Sequence, residues 1–277
     1  MRIAGASGGV IVAYCHDEQS VGAKFHRSMM MLMLRDSARE QIVDIIDLES
    51  GPRIPTARNT MTRAFMDHPS RPEWCLMVDA DMSFGPDAFE RTLAVADPIK
   101  APIVGGLCFA GGSSGVVKPT IRIITSLEPL TIDTLYDYPQ DELIQVDATG
   151  AAWLLIHRSV FEKVEEAHRD HPYTWFADSV YGGNELGEDI TFCLRARQLG
   201  IPVHVHTGIH IGHMKMQVLD QDSYLEYRRG ITKHGEDRYR AMQRARVGVI
   251  PGVQDRLDPE PTSAIDDELA VPSEAVG

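Results

Sequence analysis

The stretch Trp74–Asp81 reads WCLMVDAD. Its first five residues form a short continuous apolar run, the pattern of a strand buried on both faces of a parallel sheet. The run stops at Asp79-Ala80-Asp81, and Pro86–Ala96 then reads as a helix with proline near its first position. Open α/β sheets place their ligand-binding groups at the carboxyl ends of such strands.

Working outward, the same alternation repeats. Gly9–His16 (GVIVAYCH) is rich in β-branched residues and reads as a strand. Val21–Arg35 reads as a helix, with apolar positions at Val21, Phe25, Met29, Leu32 and Met33. Ile42–Leu48 is a strand, Pro55–Asp67 a helix and Ile103–Phe109 a fourth strand. This rhythm predicts an α/β fold whose sheet is flanked by helices on both faces. Beyond about residue 115 the rhythm changes. Val117–Ile124 and Leu143–Val146 read as short strands and Ala151–Ile156 as an apolar one, before a helix over Ser159–His168. Glu188–Leu199 is a further helix, stopped by Gly200 and Pro202. Val203–His206 and Ile209–Gly212 are short strands. Tyr224–Arg246 reads as mostly helical, and its part Tyr227–Arg246 holds seven Lys or Arg against two acids.

The 277 residues allow one large domain or two smaller ones, with a core sizeable enough to need no disulfide scaffold. The longest apolar runs, Met29–Leu34 and Ala151–Ile156, have six residues each. A membrane helix needs about 20, so no span is expected. The opening MRIAGASGGVIVAYCHDE has one basic residue and runs straight into a strand pattern, so no signal peptide is expected. Cys15, Cys75, Cys108 and Cys193 form no CxxC pair and read as reduced thiols, which points to a cytoplasmic compartment. The net charge of −13 argues against non-specific nucleic-acid binding by the surface as a whole. Residues 247–277 hold seven acids against Arg256 alone and read as a disordered tail behind a single domain over 1–246.

Several residues carry potential chemistry. Asp79 and Asp81 read either as solvated loop acids or as a pair for a hard divalent cation, with phosphate oxygens completing its shell. Glu188 and Asp189 are either first-turn acids favoured by the helix dipole or a general base facing a substrate. His210 and His213 follow a short strand and are either structural or metal ligands. Arg58 opens a helix and is either a surface cation or a diphosphate partner.

The order of these pieces is more specific than any one of them. Ala57-Arg58-Asn59, Val78-Asp79-Ala80-Asp81, VDATGAAWLLIHRSVFEKV (Val146–Val164), GEDITFCLRARQLG (Gly187–Gly200) and HIGH (His210–His213) follow one another along the chain. The set resembles the family 2 glycosyltransferases and relatives of GT-A fold, in their phage- and bacterial-type branch, over about residues 8 to 215. The resemblance implies a Rossmann-like nucleotide-diphospho-sugar transferase fold with a mixed, mainly parallel central sheet. Residues to about 115 would bind the nucleotide-sugar and about 116–215 the acceptor, with 216–246 a basic helical segment.

The activity implied is metal-dependent transfer of a sugar from a nucleotide-sugar, UDP-sugar first, to an acceptor hydroxyl. Asp79 and Asp81 would contact ribose and Mn²⁺ or Mg²⁺, Asp81 more directly, with His213 as a further metal ligand and His210 second choice. Arg58 would lie near the diphosphate, Gly150 in the acceptor-side loop and Trp153 beside it. Asp189 would be the base of an inverting reaction, with Glu188 next to it. The strand ends AYCHDE and IIDLESG depart from the family pattern, so Tyr14 and Asp47 stand only as nucleobase candidates. The acceptor stays open among protein, glycan, lipid carrier and modified DNA. For DNA, the basic stretch would supply the phosphate contacts.

Two rival readings have testable marks. A nucleotidyltransferase would carry a Gly-rich, Arg/Lys-containing loop after the first strand, where residues 14–24 read YCHDEQSVGAK. A non-catalytic sugar- or protein-binding module would keep its biological activity in Asp189→Asn. P-loop, GxGxxG and HExxH patterns are absent from the sequence.

Overall fold

Strand and helix alternate from Val10 onward. The computed structural model describes residues 9–16, 21–111, 117–128, 130–181, 183–215 and 221. The chain divides into two units, Met1–Lys215 and Met216–Gly277, and the elements below all belong to the first. The basic helix expected over Tyr224–Arg246 and the acidic tail 247–277 lie outside the described residues.

In chain order the elements are β1 (Val10–His16), α1 (Ala23–Asp36), β2 (Ile42–Glu49), α2 (Ile54–Met66), β3 (Trp74–Val78), β4 (Met82–Phe84) and α3 (Ala88–Val95). There follow β5 (Ile103–Gly111), β6 (Val117–Pro119), β7 (Arg122–Leu127), β8 (Leu130–Thr134), β9 (Leu143–Val146) and β10 (Trp153–His157). The series ends with α4 (Arg158–His168), β11 (Ser179–Tyr181), β12 (Asn184–Leu186), α5 (Glu188–Gln198) and β13 (Val203–His213).

A nine-stranded sheet has the order β2-β1-β3-β10-β5-β13-β4, with β6 on β5 and β9 on β13. β1 is parallel to β2 and β3, and β13 is parallel to β5. β10 is antiparallel to both β3 and β5, so β1, β2, β3, β5 and β13 all run the same way. The expected mixed, mainly parallel α/β sheet flanked by helices is therefore the fold of the chain. Apolar faces account for the layers. One core gathers Met61 and Phe65 of α2, Val160, Phe161 and Val164 of α4, and Phe192 and Ala196 of α5. The other gathers Phe25 and Leu32 of α1 with Phe89 and Leu93 of α3.

Local readings shift in three places. β10 intervenes between β3 and β5, which are successive in the sequence reading. Its run Trp153–Ile156 is fully buried, and a strand apolar on both faces belongs in the middle of a sheet. The two short strands expected at 203–206 and 209–212 are one strand, β13, whose register against β5 shifts between His206 and His210. Gly106 of β5 sits opposite this irregularity. A Cβ there would come 2.8 Å from Ile211 Cγ1 and 2.9 Å from Trp153 Cδ1. The single strand expected over Val117–Ile124 is two, β6 and β7, and the second of them pairs with the unanticipated β8.

Candidate active site

The carboxyl ends of β1, β3, β5 and β13, together with the start of β10, lie on one edge of the sheet. β3 ends at Val78 and a turn follows, with Met82 N–H donating to Asp79 O at 3.1 Å. Asp79 N–H is itself held by Ala152 O at 3.1 Å, which brings the loop before β10 against the turn.

Arg58 is the hub of one half of this edge. It lies on the face of α2 that buries Ala57, Met61, Thr62 and Phe65, and its side chain is only 5% exposed. Its Nη1 donates to Ala151 O at 3.1 Å and its Nη2 to Asp79 Oδ1 at 2.9 Å. Its Nε lies 3.0 Å from Glu188 Oε1, yet that N–H is not aimed at the oxygen and has no hydrogen-bond partner. The contact with Glu188 is thus coulombic. Burial works against the guanidinium charge, but Asp79, Glu188 and Asp189 outweigh it and hold the Arg58 pKa above its usual value. The expected diphosphate partner is therefore sunk beneath the edge and committed to carboxylates.

Glu188 and Asp189 open α5, as the sequence reading has it. Asp189 Oδ1 accepts from Ile190 N–H at 2.7 Å. Its Oδ2 faces Gly150, where a Cβ would lie 3.4 Å away. Gly150 is thus a floor beneath the carboxylate. Burial raises both carboxyl pKa values above normal, and Arg58 only partly offsets this. A carboxylate with raised proton affinity, held in place, is suited to accept a proton near neutral pH.

Asp81 turns to different partners from Asp79. Its Oδ2 lies 2.8 Å from His213 Nε2 and 3.3 Å from Lys215 Nζ. His213 Nδ1 lies 2.9 Å from Phe109 O, an acceptor, so this nitrogen carries a hydrogen and Nε2 is directed at Asp81. A neutral ring would set the Nε2 lone pair against a carboxylate, so this arrangement calls for a positive charge, either a proton or a metal ion. An imidazole nitrogen with a carboxylate oxygen suits a divalent ion such as Mn²⁺. Asp79 does not join them. Among the described residues, no group of three His, Cys, Asp or Glu side chains is gathered closely enough to hold a metal ion. His213, not His210, meets Asp81, and His210 is exposed on β13.

At the other end of the edge, Tyr14 and Asp47 are register partners on β1 and β2. Burial and the adjacent Asp47 push the Tyr14 hydroxyl up to about 12. His16 Nε2 lies 3.0 Å from Asp47 Oδ1 and completes a polar group that sequence reasoning did not include. Trp153 is a correction. It is fully buried, tilts against Phe84 at 4.6 Å and donates from Nε1 to Thr92 Oγ1 at 3.0 Å. Strand alternation turns it into the core, so it does not line an acceptor region.

A cleft of about 440 Å³ adjoins Glu188, walled by Pro52–Pro55 on one side and by Tyr173 and Asp178 on the other. Asn59 ties the walls together. Its Nδ2 donates to Pro55 O and Phe176 O, both at 2.6 Å, and its Oδ1 accepts from Trp175 N–H at 3.0 Å. Arg195 Nη1 holds the carbonyls of Tyr173 and Thr174 at 2.7 and 2.9 Å. Apart from Glu188, none of these cleft residues was a sequence candidate. Asn59, inside the ARN segment, was the available signal.

Four free cysteines agree with the reading of reduced thiols. Among the described residues, no helix is long and apolar enough to cross a membrane. No protein-family model matches the chain, and no curated protein does. Solved structures do resemble it. One is a protein from STIV (TM-score 0.49, 12% identity, 75% of this chain and 86% of that one). Another is GalNAc-T7 with UDP, GalNAc and Mn²⁺ (TM-score 0.49, 11% identity, 75% of this chain and 44% of that one). A third is the catalytic domain of Drosophila beta1,4galactosyltransferase 7 in complex with xylobiose (TM-score 0.43, 14% identity, 78% and 79%). The latter two are glycosyltransferases by description. At these TM-scores the likenesses carry no argument about this chain, and its function is read from its own site.

Proposed function

We propose that the chain is a metal-dependent glycosyltransferase of GT-A type that moves a sugar from a nucleotide-sugar, UDP-sugar first, to an acceptor hydroxyl. One observation supports this above the others. The Asp81–His213 pair, an imidazole nitrogen set against a carboxylate oxygen, shares a sheet edge with the Glu188–Asp189 pair, whose proton affinity is raised. Asp81 and His213, two protein ligands rather than three, would hold Mn²⁺ or Mg²⁺ together with the diphosphate oxygens of the donor. Such an ion, when bound, offsets the charge that develops on a departing diphosphate.

The chain's own residues do the rest. Tyr14 and Asp47, near the ends of β1 and β2, would contact a nucleobase. Arg58 fixes Asp79 and balances the charge of Glu188 and Asp189, so its role is positioning. Asp189 takes the proton of the acceptor hydroxyl as the oxygen bonds to the sugar carbon and the bond to diphosphate breaks, with inversion. Glu188 beside it orients the incoming hydroxyl.

The test is a panel of nucleotide-sugars with Mn²⁺, read as released nucleoside diphosphate. Release from one donor, lost with EDTA and in Asp81→Ala, is the expected result. Equal release with EDTA would remove the metal. No release and no calorimetric binding of any donor would remove the transferase.

A further inference from the structure

We propose that the cleft beside Glu188 is the acceptor subsite of this transferase, resting on the reading above, and that it takes a neutral sugar ring. The lining fits the two chemistries of a pyranose. Pro52, Ile54, Pro55 and the Tyr173 ring offer apolar surface for a C–H face. Asp178, Glu188, Arg53 and the Tyr173 hydroxyl offer acceptors and donors for ring hydroxyls. The volume, about 440 Å³, falls in the small-ligand range of about 300–1,000 Å³.

Charge selects among the open acceptor classes. Two carboxylates and one guanidinium line the cleft, and Arg58 behind Glu188 is shared with Asp79 and Asp189, so a phosphate of DNA or of a lipid carrier would meet net repulsion. A lipid tail would strand these polar groups without partners. Sugar hydroxyls can donate to both carboxylates and accept from Arg53.

The walls are built before any ligand arrives. The segment Tyr173–Phe176 and the start of α2 are joined twice, by the Tyr173 hydroxyl at 3.3 Å from Thr56 Oγ1 and by Asn59 bridging Pro55 to Trp175 and Phe176. Arg195 braces the same loop from α5, the helix that carries Glu188. A pre-ordered site avoids the cost of ordering loops on binding. Thr56 and Arg53 together lower the Tyr173 pKa below the usual tyrosine value, which leaves its oxygen well solvated by donors. Glu188 forms the end of the cleft nearest Arg58, so a hydroxyl bonded to it stands at the carboxylate pair.

The experiment is saturation-transfer NMR on the full chain, with methyl glycosides of the common pyranoses and simple disaccharides as probes. At least one sugar receives saturation from the wild type. Loss of a hydrogen bond to a charged group weakens its binding about tenfold or more in Asp178→Ala. Tyr173→Ala weakens it similarly, while Glu162→Gln on α4 does not, and circular dichroism verifies the fold of each variant. No saturation of any sugar by the wild type overturns the proposal. So does unchanged saturation in both cleft variants, because the sugar would then bind elsewhere. Nucleoside diphosphate release is measured in parallel. Saturation with neither release nor calorimetric donor binding keeps the sugar site and removes the transferase, whereas release without saturation removes the sugar site alone.

Discussion

Arg58 shows how one buried side chain organises the candidate site. A guanidinium 5% exposed would be untenable alone, but it faces Asp79, Glu188 and Asp189 and donates to Ala151 O. Removing one partner of a buried ion pair strands the others, at a cost of roughly 3–5 kcal/mol. Arg58→Ala is therefore expected to lower the unfolding free energy by an amount in that range, read as a fall in the urea midpoint. Arg58→Lys recovers only part of it, because a single ammonium cannot reproduce the forked contacts with Asp79 and Ala151. An unchanged midpoint for Arg58→Ala would show that the carboxylates were never relying on it. The burial was legible in the sequence. Arg58, Met61, Thr62 and Phe65 follow the i, i+3, i+4, i+7 spacing of one helix face, and the alternative of a surface cation overlooked that spacing. What no spacing shows is which carboxylates an arginine meets, because Glu188 lies 130 positions away by residue number.

At the scale of the element, α5 presents its two acids at a helix start, where the dipole favours negative charge. Burial opposes the dipole and prevails, since both carboxyl pKa values lie above normal. The sign follows from linkage. A carboxyl that holds its proton more tightly folded than unfolded contributes stability below its unfolded pKa, and that stability is lost as pH rises through the folded pKa. Asp189→Asn is then expected to raise stability at pH 7, because it removes a disfavoured charge and its amide oxygen can still accept from Ile190 N–H. The gain shrinks to nothing in acid, where the wild-type group is protonated. The same variant stops sugar transfer, and the acid limb of the wild-type rate lies above the ordinary aspartate value of about 3.9. Denaturation curves of the two proteins across pH decide it. A variant less stable than wild type at pH 7, with the deficit persisting in acid, would mean that Asp189 is held by contacts rather than strained by burial. The acids at this helix start were plain in the sequence. Their environment was not, since it is made by Gly150 and Arg58 from two other elements.

Across the whole molecule, the sequence disclosed the alternation of strands and helices and the strand ends where the chemistry gathers. It did not disclose that β10 enters the sheet between β3 and β5, because spatial order is set by which apolar face each strand must cover. Nor did it separate the partners of Asp79 and Asp81. The turn after β3 sends one to α2 and the other to β13, and both partnerships span long stretches of chain. The chain also carries a net charge of −13, and five acids, Asp47, Asp79, Asp81, Glu188 and Asp189, stand at the proposed donor edge. An anionic diphosphate approaching this edge meets repulsion unless a cation intervenes. UDP alone is therefore expected to leave the melting temperature unchanged, and Mn²⁺ with UDP to raise it. A ligand at 100 times its Kd adds about 2.7 kcal/mol to folding stability. The combined shift disappears in Asp81→Ala, and it survives in wild type only while no chelator is present. Equal stabilisation by UDP with and without Mn²⁺ would mean that Lys215 and a protonated His213 supply the positive charge unaided. The Asp81–His213 pair would then be a proton-balanced ion pair rather than a metal site.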